Sequence, residues 1–375
     1  MHDLVLKGGR VIDPSQGLDR VTDIAFAGGK VAAIGDGLSA KAVRDVAGHI
    51  VTPGLIDLHT HVYWGGTSLG VAAEPLARNG AVTTFVDAGS SGPGNFHGFR
   101  AHVIEPSPVR ILPYLNLSFP GIYAFSKTVM VGESADLRLL DPRECVRVAL
   151  EHRDLVLGIK VRVGKNTSDY TGNMPLEMAI EVAEELGLPV MAHLDNPPPS
   201  RKDVLALLRS GDILTHCFRP FPNAPATADG RVREEILDAR ARGIIFDIGH
   251  GGGSFGFKTT RAMLANGFLP DVISSDVHTL SIDGPAFDLI TTLSKFLALG
   301  VDLQTVIRLA TVNAARAIRK PELGTLAPGA VGDASILELR EGSFEYFDVI
   351  GEKIVGPQRL RAAGVVLAGA WWHPL

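Results

Sequence analysis

Only two cysteines, Cys145 and Cys217, occur in 375 residues. They are too few and too far apart for a disulfide framework or a thiolate metal cage, so the chain reads as one made for a reducing compartment. No run of Lys or Arg is long enough to follow a nucleic-acid backbone or an anionic membrane, and the formal charge is a modest −5. Long hydrophobic runs are missing as well. No apolar stretch approaches the roughly 20 residues of a membrane span, and the opening "MHDLVLKGGRVIDP" has no signal-peptide core. "GTSLG" around Ser68 lacks the strand-turn-helix elbow that a nucleophilic serine needs. The expectation is a cytoplasmic protein that binds neither nucleic acid nor membrane and whose partner is a small molecule.

What the chain does have is core: 46% of its residues are hydrophobic, enough for one large domain and a small one. Residues 3 to 52 read as short strands in "LVLKGGRVID", "DIAFAGGKVAAIG" and "AVRDVAGHIVTP", with Gly8-Gly9 and Gly28-Gly29 at the bends. The same texture returns near the other end in "ASILELREG" and "AAGVVLAGAWW". Residues 1–52 and 321–375 are therefore expected to pair into a small β-sandwich domain built from both chain ends.

Over 53–320 short apolar runs alternate with amphipathic stretches. Strands are expected in "GLIDLHTHV", "VTTFVDAG", "RILPYLNLS", "LGIKVRVG", "PVMAHLD", "DILTHC", "IIFDIG" and "VISSD". The clearest helix, "PLEMAIEVAEELG" at 175 to 187, starts with Pro at a first-turn position and ends on Gly. Eight buried strands separated by helices over roughly 250 residues suit the α/β class and a (β/α)8 TIM barrel. A doubly wound sheet competes, but polar residues at the C-terminal ends of many different strands favour the barrel.

The chemistry sits on those strand ends. His59 and His61 are two apart on a strand and point to one face. His193, His216 and Asp276 end the strands "MAHLD", "LTHC" and "ISSD". Each alone is explained by a helix cap or a hydrogen-bonded core residue. Four histidines and an aspartate converging on one face ask for more, because buried polar groups cost free energy unless something satisfies them. Lys160 interrupts "LVLGIKVRV", a run so apolar that an ammonium there loses several kcal/mol of hydration unless paired. It snorkels out, meets a carboxylate, or is held neutral and adds carbon dioxide to become a carbamate with two oxygens.

In this order "VTPGLIDLHTHV", Lys160, His193, His216 and Asp276 resemble the metal site of the amidohydrolase superfamily, in the branch of dihydroorotases, hydantoinases and N-acyl-amino-acid deacylases. "VIDPSQGLDRVTDIAFAGGKVAAIG" and "GTLAPGAVGDASILEL" extend the resemblance over nearly the whole chain. It implies that His59, His61 and Asp276 hold the more buried of two divalent ions, His193 and His216 the other, and carbamylated Lys160 bridges them. The cofactors implied are two Zn2+ ions, suited to imidazole donors, and carbon dioxide as the lysine carbamate. The activity implied is hydrolysis of an amide or ester in a small carboxylate-bearing molecule: deacylation, such as deacetylation, of N-acyl amino acids or O-acyl hydroxy acids, with Asp276 as the catalytic proton acceptor. A cyclic-amide hydrolase is the alternative, and a non-catalytic barrel scaffold another, which the filled ligand positions weigh against. Homo-oligomerisation is compatible with all of these. In dihydroorotases an arginine that grips the substrate typically follows the His-x-His pair two positions on, whereas Tyr63 stands here.

Four residues are candidate substrate contacts. Arg162, two beyond Lys160, shares its inward face and either grips a carboxylate or pairs with Asp195 or Asp87. Tyr114 and Asn116 share one face of the third barrel strand and either meet a substrate carbonyl or serve the core. His250 opens the glycine-rich "GHGGGSF" and is either a ligand contact or an exposed turn residue. His278 is expected behind the ligands, and Cys217 is expected to face away into a helix layer.

Overall fold

The computed structural model describes residues 1–374. The first 53 residues form β1 (His2–Asp13), β2 (Leu18–Ala27), β3 (Lys30–Gly35), β4 (Ala40–Asp45) and β5 (Ile50–Pro53). Gly28 and Gly29, at φ 57° and 77°, make the two-residue turn between paired Ala27 and Lys30, a left-handed pair of conformations suited to glycine. β1 pairs with β4 along His2–Lys7 and with β5 at Arg10 and Val11.

Next come seven parallel strands, β6 (Leu55–Thr60), β7 (Val82–Ala88), β8 (Arg110–Asn116), β9 (Ile159–Val163), β10 (Val190–Leu194), β11 (Ile213–Leu214) and β12 (Ile245–Phe246), hydrogen-bonded in chain order. They are the first seven expected barrel strands. The eighth, around Val272–Val277, is not a regular strand, yet it closes the sheet on itself. Ile248 N donates to the Val272 carbonyl on one side, and His61 N donates to the Val277 carbonyl on the other. A second bond, Asp276 N to the His59 carbonyl at 2.7 Å, fixes that aspartate beside β6.

Alternation along the strands divides the core in two. Ile56, Val86, Leu112, Met191, Ile213 and Val272 share an interior cluster. Val161, Val163, Ala192 and Leu194 turn outward onto helices such as Met174–Leu186, whose Leu176, Ala179 and Val182 join them. That helix has Pro175 in its first turn and stops at Gly187, φ 67°, as its sequence predicts. Cys217 lies in this outer core.

The chain returns in β13 (Ala334–Phe347), β14 (Lys353–Leu367) and β15 (Ala370–Pro374). β13 pairs antiparallel with β5, so strands of both ends join one eight-stranded sheet. Its order is β15-β14-β13-β5-β1-β2-β3, with β4 also on β1. The register shift at Gly8-Gly9 lies between the β4-paired and β5-paired halves of β1. One continuous hydrogen-bonded sheet thus supplies the core Leu6, Phe26, Val51, Ile336 and Val366 of the unit built from both chain ends. Among the described residues no helix is long and apolar enough to cross a membrane.

Candidate metal centre

The C-terminal ends of the parallel strands meet at a cavity of about 380 Å³ whose wall includes His59, His61, His193, His216 and Asp276. His59, His61, His216 and Asp276 are buried, and the His193 side chain is 14% exposed. Burial, reinforced by neighbouring cations, holds the four imidazoles well below the usual histidine range, so they are neutral.

Which nitrogen carries the proton follows from what lies behind each ring. His59 Nδ1 lies 2.7 Å from Thr215 Oγ1, and that hydroxyl donates to Asp247 Oδ2, also at 2.7 Å. His61 Nδ1 lies 2.9 Å from Ser90 Oγ, which donates to Asp87 Oδ2 at 2.8 Å. A hydroxyl whose proton is already given to a carboxylate accepts from the imidazole, so both rings carry hydrogen on Nδ1. His216 Nδ1 likewise donates to the Gly249 carbonyl at 2.7 Å. In all three Nε2 is the unprotonated nitrogen, and that of His59 has Lys160 Nζ 3.5 Å away.

The lone pairs of two of these nitrogens converge on the carboxyl group of Asp276, which burial pushes well above the usual carboxylate range in the absence of a cation. His59 Nε2 and His61 Nε2 lie 3.5 and 3.3 Å from Asp276 Oδ1, and the three residues offer ligand atoms within 4.8 Å of one another. Three acceptors facing one point without a shared proton repel each other; a cation between them removes the repulsion, and the donor set suits a divalent ion. The other expected ligands surround this group. The His216 ring is 5.1 Å from that of His59 and 4.5 Å from that of His193, whose buried Nε2 has no hydrogen-bond partner among the described residues. Lys160 is fully buried, with Nζ 3.5 Å from His59 Nε2, and burial holds its pKa below the usual lysine range against the pull of Asp276.

Backbone geometry aims these groups. His216 and Asp276 have φ of 63° and 48°, a left-handed conformation that costs about 1 kcal/mol or more outside glycine. Asp57 braces the Asp276 segment, accepting Ser275 N at 2.9 Å and Ser275 Oγ at 2.5 Å. The glycine-rich loop matters chiefly for close approach to these residues. A Cβ on Gly251 would stand 2.2 Å from Asp276 Oδ2, and one on Gly249 2.3 Å from Thr215 Oγ1.

The expected substrate contacts fare differently. Arg162 reaches the cavity wall but is committed to Glu133, Nε to Oε1 at 2.6 Å and Nη2 to Oε2 at 2.7 Å, and not to Asp195 or Asp87. Tyr114 does point inward, yet it packs in the apolar interior cluster, at the level of Ala88 and below Lys160. Asn116 lies at the level of Lys160 but spends its amide on the Gly89 carbonyl and Ser118 N. His250 is fully buried away from the cavity wall, stacked on Phe255 with its Nε2 2.7 Å from Lys295 Nζ. The structure therefore brings none of Tyr114, Asn116 and His250 to the cavity.

Other residues do line it. His278 Nδ1 accepts Leu280 N at 3.1 Å, which leaves hydrogen on Nε2, and burial pulls this imidazole down to about 4. Phe125, Met130 and Val131 form an apolar wall, and Arg219 a cationic one. Tyr63 contributes nothing there: its ring stacks 4.4 Å from Phe99 and its hydroxyl donates to the Asn95 carbonyl. Sequence reasoning missed Asp57, Ser90, Thr215, Glu133 and Arg219, and considered Asp87 only as a partner for Arg162. The detectable signal was an acid inside an apolar strand, as in "TTFVDAG" and "IIFDIG".

No family model matches the chain. It is 36% identical over 335 residues to a deacetylase of Agrobacterium fabrum, a match covering 88% of this chain and 82% of the relative. The crystal structure of an adenine deaminase superposes with a TM-score of 0.92 at 29% identity, covering 99% of this chain and 100% of that one. A dihydroorotase structure superposes with 0.90 at 32% identity, covering 99% of each.

Proposed function

Because the chain belongs to the amidohydrolase superfamily and is a metal-dependent hydrolase, we propose that it removes an acyl group from a small carboxylate-bearing molecule on a (β/α)8 barrel. The substrates are N-acyl amino acids or O-acyl hydroxy acids, with acetyl the simplest acyl group. The observation that carries the reading is the convergence of the His59 and His61 lone pairs on Asp276.

His59, His61 and Asp276 would hold one ion and His193 and His216 a second, with Lys160 as a carbamate between them. When bound, two divalent ions, Zn2+ for such imidazole donors, supply an acidified water and a polarised carbonyl. The protein's own part is proton transfer and orientation. Asp276 Oδ1 faces the two histidines, so Oδ2 is the atom that accepts a proton from the attacking water and returns it to the leaving oxygen or nitrogen. Asp247 and Asp87, acting through Thr215 and Ser90, keep His59 and His61 in the ligating tautomer. Phe125, Met130 and Val131 give the cavity an apolar wall, with Met130 and Val131 about half exposed.

A cyclic-amide hydrolase is the second reading, favoured by the similarity to a dihydroorotase. The burial of Tyr63 against Phe99 speaks against it, since the position where those enzymes carry an arginine is turned away from the cavity. The test is metal analysis of the purified protein with a turnover screen of N-acyl amino acids and O-acyl hydroxy acids of both chiralities, dihydroorotate included. About two metal equivalents and acyl release are expected. Protein purified without metal, or turnover of dihydroorotate alone, would overturn the proposal.

A further inference from the structure

Two arginines stand in the cavity wall, and they differ in what they already hold. Arg162 gives the Nε–Nη2 edge of its guanidinium to the buried carboxylate of Glu133. That edge is the one that fits a carboxylate with two parallel hydrogen bonds, so Arg162 is neutralised within the chain. Arg219, three residues after His216, is anchored by a single bond from Nη1 to the Leu194 carbonyl. Among the described residues no carboxylate comes within ion-pair distance of it; Asp195 acts on its charge from farther away. Its Nε is enclosed without an acceptor. Burial is the largest influence on this guanidinium and pulls its pKa down, the sign of a cation whose surroundings do not make up for the water it has lost. A half-buried cation beside a cavity, under-compensated by its own protein, is suited to an anion that arrives from the cavity.

We infer that Arg219 holds the substrate's carboxylate, since Arg162, although on the cavity wall, already gives its Nε–Nη2 edge to Glu133, and Tyr63 is turned away from the cavity. The inference rests on the deacylase reading and names the residue that selects acidic substrates for it. Tethering of Nη1 to the strand that carries His193 sets the guanidinium at a fixed distance from the ligand group, which suits an acid whose acyl bond lies a few atoms from its carboxylate.

The experiment is calorimetric titration of the metal-replete protein with 3-phenyllactate, a hydroxy acid, and with its uncharged amide. Arg219→Met should weaken the acid by about 10- to 100-fold, the worth of a charged hydrogen-bonded pair, and the amide by no more than about threefold. Arg219→Lys, which keeps the charge, should lose less than about tenfold on the acid and guards against a merely misfolded Met variant. Equal weakening of acid and amide, or unchanged affinity for the acid in Arg219→Met, would overturn the assignment. Arg219-dependent binding of the acid without release of acetate from its O-acetyl ester would instead sink the deacylase reading and leave the carboxylate site standing.

Discussion

Asp276 is asked to ligate and to move a proton, and its surroundings separate the two tasks by oxygen. Oδ1 lies 3.3 Å from His61 Nε2, whereas Oδ2 comes no nearer than 4.0 Å to His216 Nδ1 and sits over the Cα of Gly251. Asp276→Asn keeps an oxygen for the ion and removes the proton acceptor. Near-native folding is expected, with kcat lower by about two to four orders of magnitude, the usual worth of general acid-base catalysis. Stopped-flow or steady-state rates on a metal-replete sample check this. A loss of less than about tenfold, some 1.4 kcal/mol of barrier, would mean that the proton goes elsewhere, with His278 on the same cavity wall the next residue to test.

At the scale of elements, Glu133 and Arg162 explain how a loop far from the strands becomes part of the site. Residues 124–131 form a small hairpin, with Val131 N bonded to the Ala124 carbonyl and Ser126 N to the Val129 carbonyl, each at 2.9 Å. Its inner side chains Phe125 and Met130 line the cavity, and Phe125 lies 4.9 Å from the Arg162 guanidinium. Glu133, fully buried at the base of the hairpin, ties it to β9 two residues beyond Lys160. Glu133→Gln leaves Arg162 buried without a counter-charge, an expected cost of about 3–5 kcal/mol. Amide exchange should accelerate first in 124–131, and KM should rise for substrates held against Phe125. Unchanged protection of 124–131 would show that the ion pair does not anchor the hairpin.

What the sequence made legible at this scale was face rather than height or long-range partner. Period-two alternation correctly turned Tyr114 inward, but it does not say that Tyr114 stands level with Ala88 and beneath Lys160, where its hydroxyl meets no hydrogen-bond partner among the described residues. Apolar runs marked β6 to β12, whereas "VISSD" carries two serines that bond Asp247 and Asp57 instead of a regular ladder. The histidines were legible because imidazole is rare at the end of an apolar run. Glu133 was not, since its value comes from Arg162, 29 residues later and across a loop.

The molecule as a whole is fastened at a second buried lysine. Lys295, on the helix Leu289–Ala298, reaches His250 Nε2 at 2.7 Å, the Pro285 carbonyl at 2.7 Å and the Phe347 carbonyl at 2.8 Å. Phe347 ends β13, in the sheet built from both chain ends, while His250 belongs to the loop whose backbone bonds Ser274 and Ser275 next to Asp276. One side chain thus joins the returning end of the chain to the loop behind the candidate metal centre. Since His250 Nδ1 donates to the Gly251 carbonyl, its Nε2 is an acceptor, and three acceptors match the three protons of an ammonium. Burial opposes them and, only partly offset by Asp348 and Asp288, pulls Lys295 down to about 7. An unfolded lysine keeps its proton to about pH 10.4. Above pH 7, then, the unfolded chain binds a proton that the folded one has released, so unfolding free energy rises with pH. The penalty of the buried charge is fully present below pH 7 and gone above roughly pH 10. The difference in unfolding free energy between the native protein and Lys295→Met, from denaturant titrations at each pH, should be flat below pH 7. Above it the difference should climb by at most about 1.4 kcal/mol per pH unit. A difference that stays flat to pH 10 would mean that the three acceptors outweigh burial and hold the ammonium at its ordinary pKa.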